Sequence, residues 1–418
     1  MELIGIVAAF AVLIILINRK IPLSIAMLAA SLIVFLATGD GIRAIGTTTW
    51  GAIIDSDTVD LALIVGAITA LAYIMNRFQF FDAMVTSLSK LLRNDRLTLV
   101  IIPGLVGCMP MVGGAIVSAP MVDKLGQRLE LPRENRSAAN LIFRHSWYFV
   151  FPFMPTFILA SRIARIEVLD LVGIMWPLTA IMILSGYFFL FSRVPLPLSA
   201  AQTHAPPKSG DTWHHFKAFV LHALPLITGL TLFIGFNVHL ALSLFIGIII
   251  ALIYVRISDA SAAIDLKFLT EMITHGIDYH LVATMVAIMI FRAAVGETLA
   301  FQNLMSGMLD LGIPLYLIAA ALAILIGYVS ASHSSTLAVL LPVIVPIVSA
   351  AGGNILLYVA LIYSLAFLSY LISPVHLCQI LSNHYFDVSL GQVYRTYIPV
   401  IFTVTLATFA LLAVHGLF

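Results

Sequence analysis

Of the 418 residues, 61% are hydrophobic and 10% charged, against roughly 45–50% and 25% in soluble domains. The formal net charge of +1 comes with no basic stripe dense enough to neutralise a run of phosphates, so no nucleic-acid partner is expected. Cys108 and Cys378 are the only cysteines, too few for a disulfide framework or a cysteine metal site.

The first segment, Met1 to Asn18, has the length of a membrane span but no basic region before it and no small-residue cleavage site after it. Its charges, Arg19 and Lys20, follow it, and it reads as a retained first helix. With about 20 apolar residues needed per crossing, full spans are expected near 2–18, 21–38, 58–76, 137–161 and 168–191. A second set is expected near 216–236, 238–256, 279–296, 354–379 and 395–416. Segments 41–55, 77–93, 262–276 and 298–311 are too polar to span and carry apolar residues at helical spacing, as in Phe78, Phe81, Met84, Val85 and Leu88. They read as amphipathic helices at the membrane interface.

Between the third and fourth span of each set lies an apolar block, about 97–125 and 314–348, long enough for two half-depth helices. Each block is expected to be a re-entrant hairpin, the alternative being one or two ordinary spans. Charge decides between them. With about ten crossings and two hairpins, an N-terminus outside puts most Lys and Arg residues on the cytoplasmic side, among them Arg19, Lys20, Arg77, Lys124, Arg128, Lys217 and Arg256. Only Arg43, Arg162 and Arg165 fall outside, the asymmetry that the positive-inside rule requires.

An odd number of crossings per half makes the two halves inverted repeats. Residues 1–191 form the first, 216–418 the second, and the Pro- and Gly-containing stretch 192–215 a cytoplasmic linker. Landmarks recur in order, including Gly107 with Gly327, Pro155 with Pro374 and Pro177 with Pro399. The expected fold class is thus an all-α polytopic membrane protein of two inverted repeats.

Each hairpin carries a small, polar or glycine-rich break. The first runs Gly107-Cys-Met-Pro-Met-Val112-Gly113-Gly114 and on through Ser118 to Pro120; the second contains Ser330, Ser332, His333, Ser334, Ser335 and Thr336. Backbone that leaves a helix at membrane depth must find partners in protein or in a water-filled cavity, so such breaks line sites. Glycines let backbone approach a ligand, and hydroxyls with half-helix amides can hold an anion. The plainer alternatives are hydroxyls bonded to their own helix and glycines that permit close packing.

The span after each hairpin is also broken, at Pro152-Phe-Met-Pro155-Thr156 and at Ser373-Pro374-Val-His376-Leu-Cys378-Gln379. Proline frees an upstream carbonyl, and freed carbonyls suit a cation such as Na⁺. The expected substrate-binding set is therefore Gly113, Gly114, Ser118, Thr156, Ser330, Ser332, His333, Ser334, Ser335, Thr336 and His376. The expected cation-coupling set is Val112, Pro152, Pro155, Ser373, Pro374 and Gln379. His333 and His376 could donate to an anion or carry a proton. Arg144 is expected to snorkel to the cytoplasmic interface, and Arg292 to pair with Glu297 on its own helix. No nucleotide loop, metal-ligand spacing or nucleophilic triad is present, so no catalytic residue, resident metal or cofactor is expected.

These tips and breaks resemble those of the ion transporter superfamily, which includes divalent anion/sodium symporters and gluconate permeases, and within it a family of uncharacterised prokaryotic integral membrane proteins. The resemblance spans essentially the whole chain. It implies a scaffold, a mobile domain carrying both hairpins, elevator-type alternating access and a homodimer in a prokaryotic inner membrane. Dicarboxylate members carry Ser-Asn-Thr at both tips; Val112-Gly113-Gly114 and Ser332-His333-Ser334 stand here, and both asparagines are missing.

The expected activity is secondary transport of a small organic, carboxylate-like anion coupled to Na⁺ or H⁺, with both termini outside. A proton-coupled antiporter of an inorganic ion is the alternative within the same class. A membrane-embedded enzyme or a passive channel is the alternative outside it.

Overall fold

A computed structural model describes residues 2–39, 41–92, 94–108, 114–192, 209–258, 264–296 and 314–418. All regular elements among them are helical. The first half contains α1 (Glu2–Asn18), α2 (Leu23–Thr38), α3 (Ile42–Ile54), α4 (Ser56–Arg77), α5 (Phe80–Leu92), α6 (Asp95–Gly107), α7 (Gly114–Arg128), α8 (Arg133–His145), α9 (Pro155–Ala164) and α10 (Val168–Phe191). The second contains α11 (Ser209–Leu230), α12 (Leu240–Ser258), α13 (Leu266–Glu271), α14 (Tyr279–Gly296), α15 (Leu315–Ser330), α16 (His333–Ala350), α17 (Ile355–Leu371), α18 (Leu377–Phe386) and α19 (Leu390–Val414).

The helix ends follow local chemistry. Asp55 caps α4 by accepting from the Asp57 amide at 3.1 Å, and Asn94 caps α6 through the Arg96 and Leu97 amides. Ser389 and Gln392 close a capping box on α19. Gly39 ends α2 with φ +78°, a left-handed backbone that costs glycine nothing.

Among the described residues seven helices are long and apolar enough to cross a membrane: Ser56–Arg77, Val168–Phe191, Thr212–Gly235, Leu240–Ser258, Tyr279–Gly296, His333–Ala350 and Leu390–Val414. The chain is a multi-pass membrane protein by this measure. Several sequence expectations shift. The span expected at 137–161 is two short helices, α8 and α9, separated by a 3₁₀ turn at Ser146–Phe149 and an irregular stretch. The span at 354–379 is likewise divided, into α17 and α18. The stretch joining the halves is shorter than 192–215, because α11 already begins at Ser209 and carries His214 and His215. The interface helix expected at 298–311 lies outside the described residues.

Two apolar blocks fold as helical hairpins. Helix α6 packs on α7, and α15 on α16. The first pair, with 13 and 15 residues, falls short of a crossing. The second, with 16 and 18, is longer than half-depth, so α16 reaches spanning length by itself.

The helices gather into two packing groups. One joins α2, α3, α4 and α12 through α14 and α4, with α1 on α2 and α5 on α11. The other joins both hairpins to the interrupted helices: α6 and α7 on α8, α7 and α8 on α18, α15 and α16 on α17, with α10 and α19 behind them.

Glycine sets the closest approach inside this second group. At Gly107, in the last turn of α6, a Cβ would overlap the Arg144 carbonyl of α8. At Gly327, in the last turn of α15, it would overlap the Ser369 hydroxyl and sit 2.8 Å from the Ala366 carbonyl of α17. Corresponding turns of the two hairpins thus rest directly on the backbone of the two interrupted helices.

A buried polar network ties the same bodies together. The Ser118 hydroxyl of α7 donates to Asn140 Oδ1 of α8 at 2.6 Å, and Asn140 Nδ2 donates to the Ala115 carbonyl at 2.9 Å and to Ser382 Oγ of α18 at 3.2 Å. Ser137 donates to Asn383 Oδ1 at 2.8 Å. A network this dry is stabilising only while every member is satisfied.

Two outcomes follow. Gly107→Ala and Gly327→Ala should each destabilise the protein by about 2–3 kcal/mol through overpacking. Gly173→Ala, where an added Cβ meets nothing within 4 Å, should not; thermal unfolding in detergent distinguishes them. Asn140→Ala should cost about 3 kcal/mol by removing three buried hydrogen bonds, to Ser118, the Ala115 carbonyl and Ser382, at once, and Ser137→Ala should cost less in the same assay.

Candidate functional site

The last turns of α8 and α17 bring their interruptions side by side. The His145 ring, ending α8, lies 5.2 Å from the ring of His376, which precedes α18. The Tyr370 ring is 4.1 Å from His376, and its hydroxyl is 3.5 Å from His145 Nε2. Tyr148, in the turn after α8, stacks on Phe367 of α17 at 5.1 Å and lies 6.3 Å from His333, the first residue of α16. His333 in turn stands edge-on to Tyr363 at 4.4 Å. An aromatic and imidazole array therefore runs from one interruption, past the other, to the second hairpin tip.

Hydrogen bonds hold the array in register. The Tyr363 hydroxyl donates to the Tyr148 carbonyl at 2.8 Å and lies 3.1 Å from the Thr156 hydroxyl. His333 Nε2 lies 3.1 Å from the Tyr363 carbonyl, and His145 Nδ1 lies 2.8 Å from the Leu141 carbonyl. Ser373 donates to the Tyr328 carbonyl at 2.7 Å, fastening the α17–α18 interruption to the end of α15.

Some polar atoms in this region have no partner. They are Arg144 Nη1, His333 Nδ1, both ring nitrogens of His376 and Gln379 Nε2. Arg144 is 4% exposed and His376 1%. Arg144 therefore does not snorkel. Helix α8 ends at His145 rather than running on, so Arg144 sits in its last turn, at the interruption and within electrostatic reach of Cys108, Tyr148, Tyr370, His376 and Cys378. No ion pair among the described residues reaches it. Its charge is favoured by the carbonyl end of the helix, but desolvation still costs several kcal/mol in the absence of a counter-charge.

The expected site residues divide accordingly. His333, Thr156 and His376 belong to the array. Ser330, Ser332, Ser334, Ser335 and Thr336 mostly serve their own helix start. Ser332 caps α16 by accepting from the Ser335 amide at 3.2 Å and from its hydroxyl at 2.7 Å, while Thr336 donates to the Ser332 carbonyl at 2.9 Å. Ser330 lies 3.4 Å from Thr336 Oγ1, and Ser334 3.4 Å from Ser332 Oγ. Ser118 is committed to Asn140.

In the expected cation-coupling set, Ser373 holds the α15 end and Gln379 Oε1 accepts from Tyr397 at 3.2 Å. Pro152 is buried in the first interruption, Pro155 opens α9, and Pro374 lies exposed in the second interruption. Val112 and Gly113 lie outside the described residues, and Gly114 begins α7.

Arg292 reaches a neighbouring helix: its Nη1 lies 3.8 Å from Asp57 of α4, while Glu297, its expected partner, lies outside the described residues. Asp57 also meets Arg165 at 3.2 Å, and Asp60 meets Arg162 and, at 3.2 Å, His239. Beside this cluster lies a cavity of about 690 Å³, lined by Asp55, Thr58, Arg165, Arg292 and Pro346 among others, and by none of the array residues.

The residues that the sequence reading missed are Arg144, as an interior charge, with His145, Tyr148, Tyr363 and Tyr370. One signal was available: Arg144-His145 lies only two turns ahead of the Pro152 and Pro155 break, so a helix ending early would leave both at the break rather than at the interface.

No curated protein matches the chain. Its fold is similar to that in the crystal structure of the Alcanivorax borkumensis YdaH transporter, described as having an unusual topology. The TM-score is 0.63 at 15% identity, over 90% of this chain and 88% of that one. A family model described as a protein of unknown function, DUF401, matches residues 3–414, and the chain belongs to that family.

Proposed function

We propose that the chain is a secondary active transporter of a small organic, carboxylate-like anion, coupled to Na⁺ or H⁺ and working by elevator-type alternating access. The observation that carries this reading is Arg144, buried, with Nη1 unpartnered and no carboxylate beside it. An anion arriving at the interruption supplies the missing counter-charge. Its charge also meets amide ends: α9, α16 and α18 start at or next to the array.

Topology supports the same reading. Each half presents a helical hairpin followed by an interrupted helix, as inverted repeats around one site require. The packing group built from the hairpins and interrupted helices is the natural moving body, with α1–α5 and α11–α14 as its scaffold. Contacts between the groups are confined to a few helix pairs, such as α4 with α9, α5 with α6 and α14 with α16. Sliding one group past the other would carry the array across the membrane, and the fold it shares with the YdaH transporter fits this use.

Coupling by H⁺ has two candidate carriers, His333 and His376, each with an unpartnered ring nitrogen. Coupling by Na⁺ would use carbonyls freed at the ends of α8 and α17. The basic residues favour both termini outside a prokaryotic inner membrane.

Protein reconstituted in liposomes, after chelator treatment, should take up carboxylates under an imposed Na⁺ or pH gradient. No gradient-dependent flux across a broad carboxylate panel overturns the reading. Arg144→Gln should lower uptake by about 30-fold or more, the equivalent of about 2 kcal/mol of lost anion binding, with Arg144→Lys retaining more. The same Arg144→Gln protein should melt at a higher temperature without substrate, because an unpaired buried charge is gone. Loss of uptake and gain of stability together separate a substrate contact from a structural one.

A further inference from the structure

We propose that His145, His376 and Cys378 form a binding site for a soft transition-metal ion such as Zn²⁺, with three protein ligands and an open fourth position. The sequence pattern did not bring these residues together, since His145 stands on α8 and the other two flank the start of α18. The two interruptions do. One ligand atom from each of the three residues lies within 4.8 Å of the others. Tetrahedral zinc needs ligand bonds of about 2.0–2.3 Å, so the three ligand atoms must draw somewhat closer as the ion enters.

The state of each ligand favours a metal. His145 Nδ1 lies 2.8 Å from the Leu141 carbonyl. As an N–H donor there, it leaves Nε2 as the acceptor, facing the Tyr370 hydroxyl at 3.5 Å and available to a metal that displaces that long contact, the outer-shell arrangement that orients metal-bound imidazoles. His376 is 1% exposed, and neither of its ring nitrogens makes a hydrogen bond of good geometry, the Leu371 backbone being its polar neighbour. A packing histidine would bury that polarity at a cost, whereas a metal ligand would use it. Cys378 is a free thiol at the start of α18, with the Arg144 charge acting on it. Binding exchanges the thiol proton for the metal ion and releases that proton to solvent.

Thiolate with two imidazoles selects Zn²⁺ or similar soft ions over Na⁺, Mg²⁺ and Ca²⁺, which take oxygen ligands. Tyr370, with its ring 4.1 Å from His376 and its hydroxyl 3.5 Å from His145 Nε2, covers one side of the set. The site does not depend on the anion reading: its ligands assemble whether or not Arg144 receives a substrate.

The test uses the full chain in detergent, stripped with chelator and titrated with Zn²⁺ in chloride buffer free of organic anions. One equivalent should bind. Co²⁺ in its place should give the near-ultraviolet absorbance of a thiolate–metal bond. Cys378→Ser should abolish that absorbance and weaken Zn²⁺ binding at least tenfold, His376→Gln should weaken it similarly, and Cys108→Ser should change neither. Thermal melting without metal verifies that each variant is folded.

Failure to bind one equivalent overturns the proposal, as does Zn²⁺ affinity unchanged in both folded ligand variants. So does a thiolate absorbance that survives Cys378→Ser. Because uptake is assayed after chelator treatment and Zn²⁺ binding without organic anion, either result can fail while the other stands.

Discussion

A guanidinium held inside apolar helices without a carboxylate is the constraint around which the rest of this structure is arranged. Arg144 is tolerable where it is because α8 stops one residue later, so its carbonyl end faces the charge. The stop in turn requires the 3₁₀ turn at Ser146–Phe149 and the restart at Pro155, whose missing N–H costs nothing at a first helical position. Gly107 then lets α6 lie directly on the Arg144 backbone, which brings the first hairpin to the same place. Charge, helix end, turn and hairpin are one connected arrangement.

The second half repeats the geometry with different chemistry. Helix α17 stops at Leu371, α18 restarts after His376, and Gly327 brings α15 onto the α17 backbone. Among the described residues no buried arginine stands there; aromatic rings and imidazoles line the interruption. The cation belongs to one half, and most of the polarisable and titratable surface to the other. The Ser118, Asn140, Ser137, Ser382 and Asn383 network links α7 and α8 of the first half to α18 of the second by buried hydrogen bonds.

Hydroxyl density at the second tip has a local cause. Ser332, Ser335 and Thr336 cluster in the sequence because a helix starts there inside apolar surroundings, and its orphan amides must be capped. The same residue types that recognise anions also cap helices, and local pattern does not separate the uses. Arg144 was misread for the complementary reason. On a continuous helix it would lie two turns from the interface, within a snorkelling arm's reach, and only the early end of α8 makes it interior.

By itself the sequence determined that the chain is apolar enough to be multi-pass, that its helices break at prolines and glycines in two places per half, and that polar residues gather at those breaks. These are local consequences of hydrophobic content, fixed φ and missing donors, and they need no neighbours to be read. Tertiary structure decided which breaks meet. It set His145 against His376 and Cys378, placed Tyr148 beside both Phe367 and His333, and brought Asp57 to Arg165 and Arg292. Those partners lie far apart along the chain, and their contact depends on the packing of whole helices, which neither periodicity nor composition encodes.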